Sequence, residues 1–126
     1  MTSQQLRATN QQNAPGSTSA LEDLLSTPTD EVFDMFANMD GQLVMLGVGG
    51  KMGPTMARMA QRAITASGSS MTLVAVSRFS NQAVRDKLES WGVRTHVCDL
   101  LDPPSVAALP DATHVLNLSG FKFGAA

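Results

Sequence analysis

Hydrophobic and polar positions change their spacing several times along this chain, and each change predicts an element. Short apolar runs predict strands at Gln42–Leu46, Met71–Val76, Val93–Cys98 and Thr113–Leu118. Between these runs, apolar residues recur at helical spacing and predict helices from Pro54 to a loop at 67–70, over Asn81–Ser90, and from Asp102 to Leu109. This order, with its short connections, predicts an α/β fold in which a parallel sheet with right-handed crossovers carries helices on both faces.

The part of the chain before the first strand has a different character. Residues 1–19 are rich in Gln, Asn, Ser and Thr and predict a disordered leader. Residues 20–40 predict a helical segment, with a short helical turn over 20–26 and a second helix that uses Thr29 as its N-cap. Gly41 is expected to end this second helix. Residues 41–126 are expected to form the α/β domain.

The first helix of the α/β domain is amphipathic. Arg58 and Arg62 lie opposite its apolar side, and small Ala57 and Ala60 are expected to let it lie close to the sheet. The apolar side consists of Met56, Met59, Ala60, Ala63 and Ile64. The strand Met71–Val76 is almost continuously apolar, which is typical of a parallel strand buried on both faces.

Composition narrows the class of protein. The 126 residues suggest one domain, and 43% hydrophobic residues are compatible with a packed core. A net charge of −2 argues against broad, non-specific binding to nucleic acid. No apolar run approaches the about 20 residues of a membrane span, and residues 1–13 lack a signal-peptide core. The single cysteine, Cys98, cannot form an intrachain disulfide, so a cytoplasmic protein is expected.

Glycines recur at three-residue spacing after the first strand, at Gly47, Gly50 and Gly53. A strand, a glycine loop and a helix in this order favour phosphate binding. Bare backbone can approach a phosphate, and the helix presents unpaired N–H groups to it. The loop does not match the P-loop of ATPases and GTPases, because Lys51 is followed by Met52 rather than Ser or Thr. A glycine-rich turn without a ligand is the alternative interpretation.

Over about residues 41–124, the chain resembles the N-terminal half of the extended short-chain dehydrogenase/reductase family, the NAD-dependent epimerases and dehydratases. The resemblance starts from the G-x-x-G-x-x-G loop and implies an incomplete, Rossmann-like doubly wound parallel sheet of about four strands. It also implies that this loop binds a dinucleotide cofactor. The loop residues assigned to cofactor binding are Gly47, Gly49, Gly50, Lys51, Met52 and Gly53, although Lys51 can equally point to solvent.

The end of the second strand bears on the choice of cofactor. In dinucleotide-binding folds, an acidic residue here holds the ribose 2′-hydroxyl of NAD, whereas an arginine accommodates the 2′-phosphate of NADP. This chain has Arg78 there, with the hydroxyls of Ser77 and Ser80 beside it and no acid before Asp86. NADP is therefore the predicted cofactor and NAD the alternative. An Arg78 that is only a solvated loop charge is the other interpretation.

Two further segments match the family. Asp99 and Leu100 follow the third strand at the positions that hold the adenine ring. Asp99 can instead cap the next helix, although Asp102 fits that role better because a proline follows it. The positions that match the segment lining the cofactor's ribose are Leu118, Ser119 and Gly120. Small residues let backbone approach a ligand there, and an ordinary turn is the alternative.

The family's catalytic Tyr-x-x-x-Lys pair has no counterpart here. The sequence contains no tyrosine, and Lys122 lies too close to the fourth strand to be the catalytic lysine. We therefore expect a portion of a longer enzyme that binds cofactor and carries no catalytic residue. The resemblance implies that the substrate of the full enzyme is a small molecule, often a nucleotide sugar. Phe121 and Phe123 are expected near an exposed sheet edge, which favours a homo-oligomer or aggregation.

Other functions fit parts of this pattern. A non-catalytic NADP-binding sensor or oligomerisation module needs the same cofactor site without the catalytic pair. A Rossmann-like methyltransferase is disfavoured, because an acid usually ends its second strand where this chain has Arg78. We expect no metal site at His96 and Cys98, because further ligands at sensible spacing are missing and packing explains both residues.

Overall fold

The computed structural model describes residues 14–120, which form five helices and four strands. The helices are α1 (Thr18–Leu25), α2 (Asp30–Ala37), α3 (Gly53–Ser67), α4 (Gln82–Ser90) and α5 (Pro103–Ala107). The strands are β1 (Gln42–Leu46), β2 (Thr72–Ser77), β3 (Arg94–Val97) and β4 (His114–Asn117). All four predicted strands are present, and no strand end differs by more than one residue from its predicted position.

The strands form one parallel sheet in the order β3-β2-β1-β4. The chain adds strands on one side of β1 as far as β3, and then returns to place β4 on the other side. The predicted α/β class is confirmed: this is an incomplete, Rossmann-like doubly wound sheet preceded by a helical segment. Leu46 lies in register with both Val76 and Asn117, so the carboxyl ends of β1, β2 and β4 meet at one edge. Ligands of open α/β sheets bind at such an edge, where the strand order reverses.

The larger part of the core lies between one face of the sheet and helix α3. Leu43, Met45 and Leu73 point to this face, and α3 places Ala57 and Ala63 against it. Both alanines are fully buried, and their small side chains let the helix lie close to the sheet, as predicted. The close approach fixes the position of the first turn of α3 relative to the ends of the strands.

The second face of the sheet is covered more thinly. Its buried residues are Val44, Val74, Val76 and Cys98. Leu100 and Leu109, which flank α5, pack against them. Strand β4 forms one edge of the sheet, where Val115 is 60% exposed. Phe121 and Phe123, which were predicted near this edge, lie outside the described residues, as does Lys122. Between residues 14 and 120, none of the helices has both the length and the apolar character needed to cross a membrane.

Helix α2 ends earlier than predicted. It begins after Thr29, whose Oγ1 accepts a hydrogen bond from Val32 N–H, as expected for an N-cap. It ends at Ala37, because the Asn38 side chain donates to the Asp34 carbonyl and closes the last turn. Gly41 therefore does not end the helix. It lies beside β1 with φ +93°, and a Cβ at this position would overlap the Thr113 side chain.

Helix α1 begins inside the segment predicted to be a disordered leader. Ser17 is its N-cap, and Ser17 Oγ accepts a hydrogen bond from Ala20 N–H at 3.0 Å. Thr18 and Ser19 are therefore helical, and the predicted boundary at residue 19 is wrong. The N-cap explains the earlier start of α1. The Ser17 side chain pairs a backbone N–H group that would otherwise have no partner at the beginning of the helix. Residues 1–13 lie outside the described residues.

The arginines on the outer side of α3 are covered by α1. Arg58 Nη1 lies 2.8 Å from Asp23 Oδ1, and its guanidinium lies 4.6 Å from the centre of the Trp91 ring. Arg62 Nη1 donates to the Asp23 carbonyl and to Ser26 Oγ. Burial, and then the neighbouring Arg58, lower the pKa of Arg62, while Asp23 opposes this shift. These arginines attach the N-terminal helical segment to the α/β domain.

We expect the Leu88→Ala variant to lose about 2–5 kcal/mol of unfolding free energy, because Leu88 is fully buried between α4 and the sheet. Urea unfolding followed by circular dichroism measures this loss. Leu101→Ala is the control, because Leu101 is 82% exposed and its removal is expected to change stability by less than about 0.5 kcal/mol. Equal losses in the two variants would contradict the packing described here.

Candidate functional site

The loop after β1 is held by one carbonyl group of β2. The Val76 carbonyl accepts hydrogen bonds from Gly47 N–H at 2.9 Å and from Val48 N–H at 3.1 Å. Gly47 has φ +77°, a conformation that glycine adopts without strain. A Cβ at Gly47 would also lie 2.6 Å from Ser119 N, in the loop after β4. The first glycine therefore lets the chain turn and lets the loops after β1 and β4 touch.

The other glycines of the loop differ in their surroundings. A Cβ at Gly49 would lie 2.7 Å from Ser77 Oγ, and a Cβ at Gly53 would overlap the Val48 carbonyl oxygen. Gly50 is exposed, and a Cβ there would meet no atom within 4 Å. Close packing against backbone thus explains Gly53, the close approach of the Ser77 hydroxyl bears on exposed Gly49, and neither reason applies to Gly50. An absent side chain at Gly50 leaves bare backbone facing outward, which suits the approach of a ligand.

The amino end of α3 lies directly after this loop. Met52 occupies the N-cap position and makes no side-chain capping bond, and Pro54 lies in the first turn. The first turn contains no acidic residue. Lys51 and Met52 are exposed, so solvent reaches this end of the helix. An uncapped helix amino end carries partial positive charge and free N–H groups, and it therefore attracts anions.

A cavity of about 240 Å³ opens beside the loop, at the carboxyl end of β2. Its lining consists of Gly49, Ser77, Arg78, Phe79, Ser80, Asn81 and Val84. Arg78 and Ser80 are exposed, and none of the lining side chains is acidic. Ser77 Oγ accepts a hydrogen bond from Phe79 N–H at 3.2 Å, which leaves the Ser77 hydroxyl hydrogen able to donate into the cavity.

Phe79 has a backbone conformation that is unusual for a bulky residue. Its φ is +50°, in the left-handed region, and its side chain is 8% exposed within the main core. The left-handed region costs a non-glycine residue on the order of 1–2 kcal/mol. Burial of the ring and the hydrogen bond to Ser77 Oγ offset this cost. Sequence reasoning did not identify Phe79, because neither its residue type nor its spacing signals a left-handed conformation.

The segment after β3 forms its own compact turn. Cys98 N–H donates to the Ser77 carbonyl at 2.9 Å, so the segment begins next to the cavity. Asp99 Oδ1 accepts a hydrogen bond from Leu101 N–H, and Asp99 N–H donates to Ser105 Oγ. Asp102 occupies the N-cap position of α5, but its side chain makes no capping bond. Asp102 therefore has the expected position at the start of α5, although its side chain does not cap the helix, and the Asp99 carboxylate is bonded to the backbone of its own turn.

The segment after β4 continues the ladder to β1. Leu118 N–H donates to the Leu46 carbonyl at 2.8 Å, and the Leu118 side chain packs against the main core. Asn117 Oδ1 accepts hydrogen bonds from both the N–H and the hydroxyl of Ser119. Ser119 and Gly120 are exposed. The segment therefore presents Ser119 and Gly120 beside the glycine loop, whereas Leu118 serves mainly in packing.

The structure brings most of the predicted residues to one edge of the sheet. Gly49, Ser77 and Arg78 share the cavity, and Ser119 touches the loop at Gly47. The residues at the same edge that do not line the cavity are Gly50, Lys51, Met52, Gly53, Asp99, Leu100 and Gly120. The arrangement offers two neighbouring places for anionic groups, the amino end of α3 and the Arg78 cavity.

Comparisons of the chain with protein-family models, with curated proteins and with solved structures found no match.

We expect Gly53→Ala to lower the unfolding free energy by about 1–3 kcal/mol, because the new methyl group overlaps the Val48 carbonyl oxygen. Alanine's better helix propensity, at most about 1 kcal/mol, offsets only part of this loss. Gly50→Ala is the matched variant, and its stability is expected to stay within about 0.5 kcal/mol of the wild type. Urea unfolding compares the two, and a Gly53→Ala variant as stable as Gly50→Ala would refute the packing argument.

Proposed function

We propose that this chain binds NADP and is the cofactor-binding portion of an NAD(P)-dependent epimerase/dehydratase or reductase similar to the extended short-chain family. One observation carries the proposal: an arginine-containing cavity without acidic lining lies beside the uncapped amino end of α3, at the edge where the strand order reverses. A dinucleotide with a phosphorylated ribose has two anionic groups, and this edge offers two neighbouring places for them.

The glycine loop is the proposed site of the pyrophosphate. Gly50, Lys51 and Met52 are exposed and directly precede the first turn of α3, where the free N–H groups lie. Backbone N–H groups at a helix amino end bind phosphate without help from a side chain. Lys51 adds a positive charge at the same place and supports the binding of an anion there.

The Arg78 cavity is the proposed site of the ribose 2′-phosphate. A guanidinium can donate two hydrogen bonds to the same phosphate. The Ser77 hydroxyl, which lines the same cavity, also has a hydrogen to donate. A carboxylate in this position would instead accept from a free 2′-hydroxyl, as in NAD-binding proteins. The lining contains none, which favours NADP over NAD.

The remaining assignments follow the resemblance. Asp99 is exposed after β3, and its carboxylate is proposed to accept a hydrogen bond from the adenine amino group, with Leu100 beside the ring. Ser119 and Gly120 are proposed to lie along the ribose. Cys98 is buried and unpaired, which supports a protein of the cytoplasm. A small-molecule substrate and a homo-oligomeric state are part of the same proposal for the whole enzyme.

A second candidate function uses the same site to bind the cofactor but catalyses no reaction. The sequence contains no tyrosine, so the acid/base pair of the resembled family is not available within these 126 residues. This favours an NADP-binding sensor or oligomerisation module as the alternative. Both candidates require cofactor binding, and only the first requires hydride transfer to a bound substrate.

Thermal unfolding with NADP⁺ and with NAD⁺ tests the proposal. At 100 times its Kd, a ligand that binds only the folded state adds about 2.7 kcal/mol of stability. NADP⁺ is expected to raise the melting temperature more than NAD⁺ does. Arg78→Ala is expected to weaken NADP⁺ binding by about ten- to a hundred-fold, because it removes a charge-assisted contact, and to leave NAD⁺ binding nearly unchanged.

Arg94→Ala is the matched control, because Arg94 is an exposed arginine at the amino end of β3, away from the edge that carries the site. It is expected to bind NADP⁺ like the wild type. A wild-type melt that neither dinucleotide moves would refute cofactor binding. Equal losses of NADP⁺ affinity in the Arg78 and Arg94 variants would refute the assigned role of Arg78.

A further inference from the structure

Helix α1 lies along α3 through a row of polar contacts. Thr55 Oγ1 donates to Glu22 Oε2 at 3.0 Å, and Arg58 Nη1 lies 2.8 Å from Asp23 Oδ1. One turn further along α3, Arg62 Nη1 donates to Ser26 Oγ at 2.9 Å. Positions 55, 58 and 62 lie on one side of α3, so this polar row is the seam between the two helices.

The contacts run in the same direction along both helices. As α1 advances from Glu22 to Ser26, its partners on α3 advance from Thr55 to Arg62. The amino ends of the two helices therefore lie at the same end of the pair. That end is the one that follows the glycine loop, and Glu22 is the α1 side chain bonded nearest to it.

The Glu22 carboxylate is held beside the first turn of α3. Thr55 is the third residue of that helix, and its hydroxyl fixes one carboxylate oxygen. The other oxygen, Oε1, is buried and has no hydrogen-bond partner within residues 14–120. The nearby arginines bond to Asp23 and Ser26 instead. Because Oε1 is buried, its interaction with nearby charges is screened less than that of a fully exposed carboxylate oxygen.

We propose that α1 is a strap that weakens anion binding at the amino end of α3, because it holds the Glu22 carboxylate there. The first turn of α3 has no acidic residue of its own, so α1 supplies the negative charge from another element. This charge stabilises the helix end in the absence of ligand and repels an incoming phosphate. The inference rests on the proposed function in so far as that phosphate belongs to a dinucleotide.

The strap acts in both directions. If docked α1 lowers the affinity for an anion, a bound anion must lower the stability of docked α1 by the same factor, since coupling between two equilibria is reciprocal. A single charge near a helix end changes such an equilibrium by about two- to five-fold. Detachment of α1, or neutralisation of Glu22, is therefore expected to increase anion affinity by that factor.

Glu22→Gln tests the strap without removing its hydrogen bond, because the amide oxygen still accepts from the Thr55 hydroxyl. Affinity is measured from thermal unfolding with two probes, NADP⁺ and inorganic pyrophosphate. Glu22→Gln is expected to bind both about two- to five-fold more tightly than the wild type. Asp111→Asn is the matched control, because it removes the same charge at an exposed residue just before β4, at the opposite end of the strands from the glycine loop, and leaves the contacts between α1 and α3 intact. It is expected to change anion affinity less.

Hydrogen exchange in the wild type gives a second test that needs no variant. Saturating pyrophosphate is expected to speed exchange of the α1 amides by about two- to five-fold and to leave α4 unchanged or slower. Unchanged or slower exchange in α1, or equal affinity gains in Glu22→Gln and Asp111→Asn, would overturn the strap. If NADP⁺ does not bind but pyrophosphate shows these effects, the strap stands and the proposed function fails. If neither probe binds any variant, both are overturned.

Discussion

The candidate site depends on the Val76 carbonyl of β2. By accepting two N–H groups from the loop after β1, this carbonyl fixes where the chain leaves the sheet. The turn at Gly47 then directs the chain back toward the sheet face, and Gly53 lets α3 begin against the Val48 backbone. The small residues of α3 allow the helix to stay at that distance. The position of the helix amino end, and of any anion bound there, follows from this anchor.

The sequence was sufficient to predict the elements that depend on local periodicity. The four apolar runs became the four strands, and the alternation with helices predicted the parallel sheet. The glycine loop could be located because its conformation requires one residue type. Helix ends were harder to predict. Gly41 was a plausible stop, but Asn38 ends α2 through its own side chain, and local sequence does not show which of two good stops is used.

Features that depend on tertiary contacts could not be predicted. Arg58 and Arg62 have the pattern of solvent-facing residues, and only the docking of α1 turns them into half-buried partners. Phe79 carries no local signal for its left-handed backbone, which is maintained by burial of its ring. Asp99 and Asp102 are both reasonable caps by residue type, and the path of the loop decides which carboxylate bonds to the backbone. Gly49, Ser77 and Arg78 were predicted individually as site residues, but Phe79, Asn81 and Val84 were not, and neither was the enclosure of one cavity by these residues together.

Because of strand β4, the Arg78 cavity and the contact between Ser119 and Gly47 differ in their folding behaviour. Leu43 pairs with Leu73, 30 residues later, but with His114, 71 residues later, so β4 closes the longer loop. Each doubling of loop length costs about 0.6 kcal/mol, and β4 is a four-residue edge strand whose Val115 stays exposed. We expect β4 to join the sheet last and to leave it first. The Arg78 cavity, which is built on β1, β2 and α4, then persists through fluctuations that separate Ser119 from Gly47.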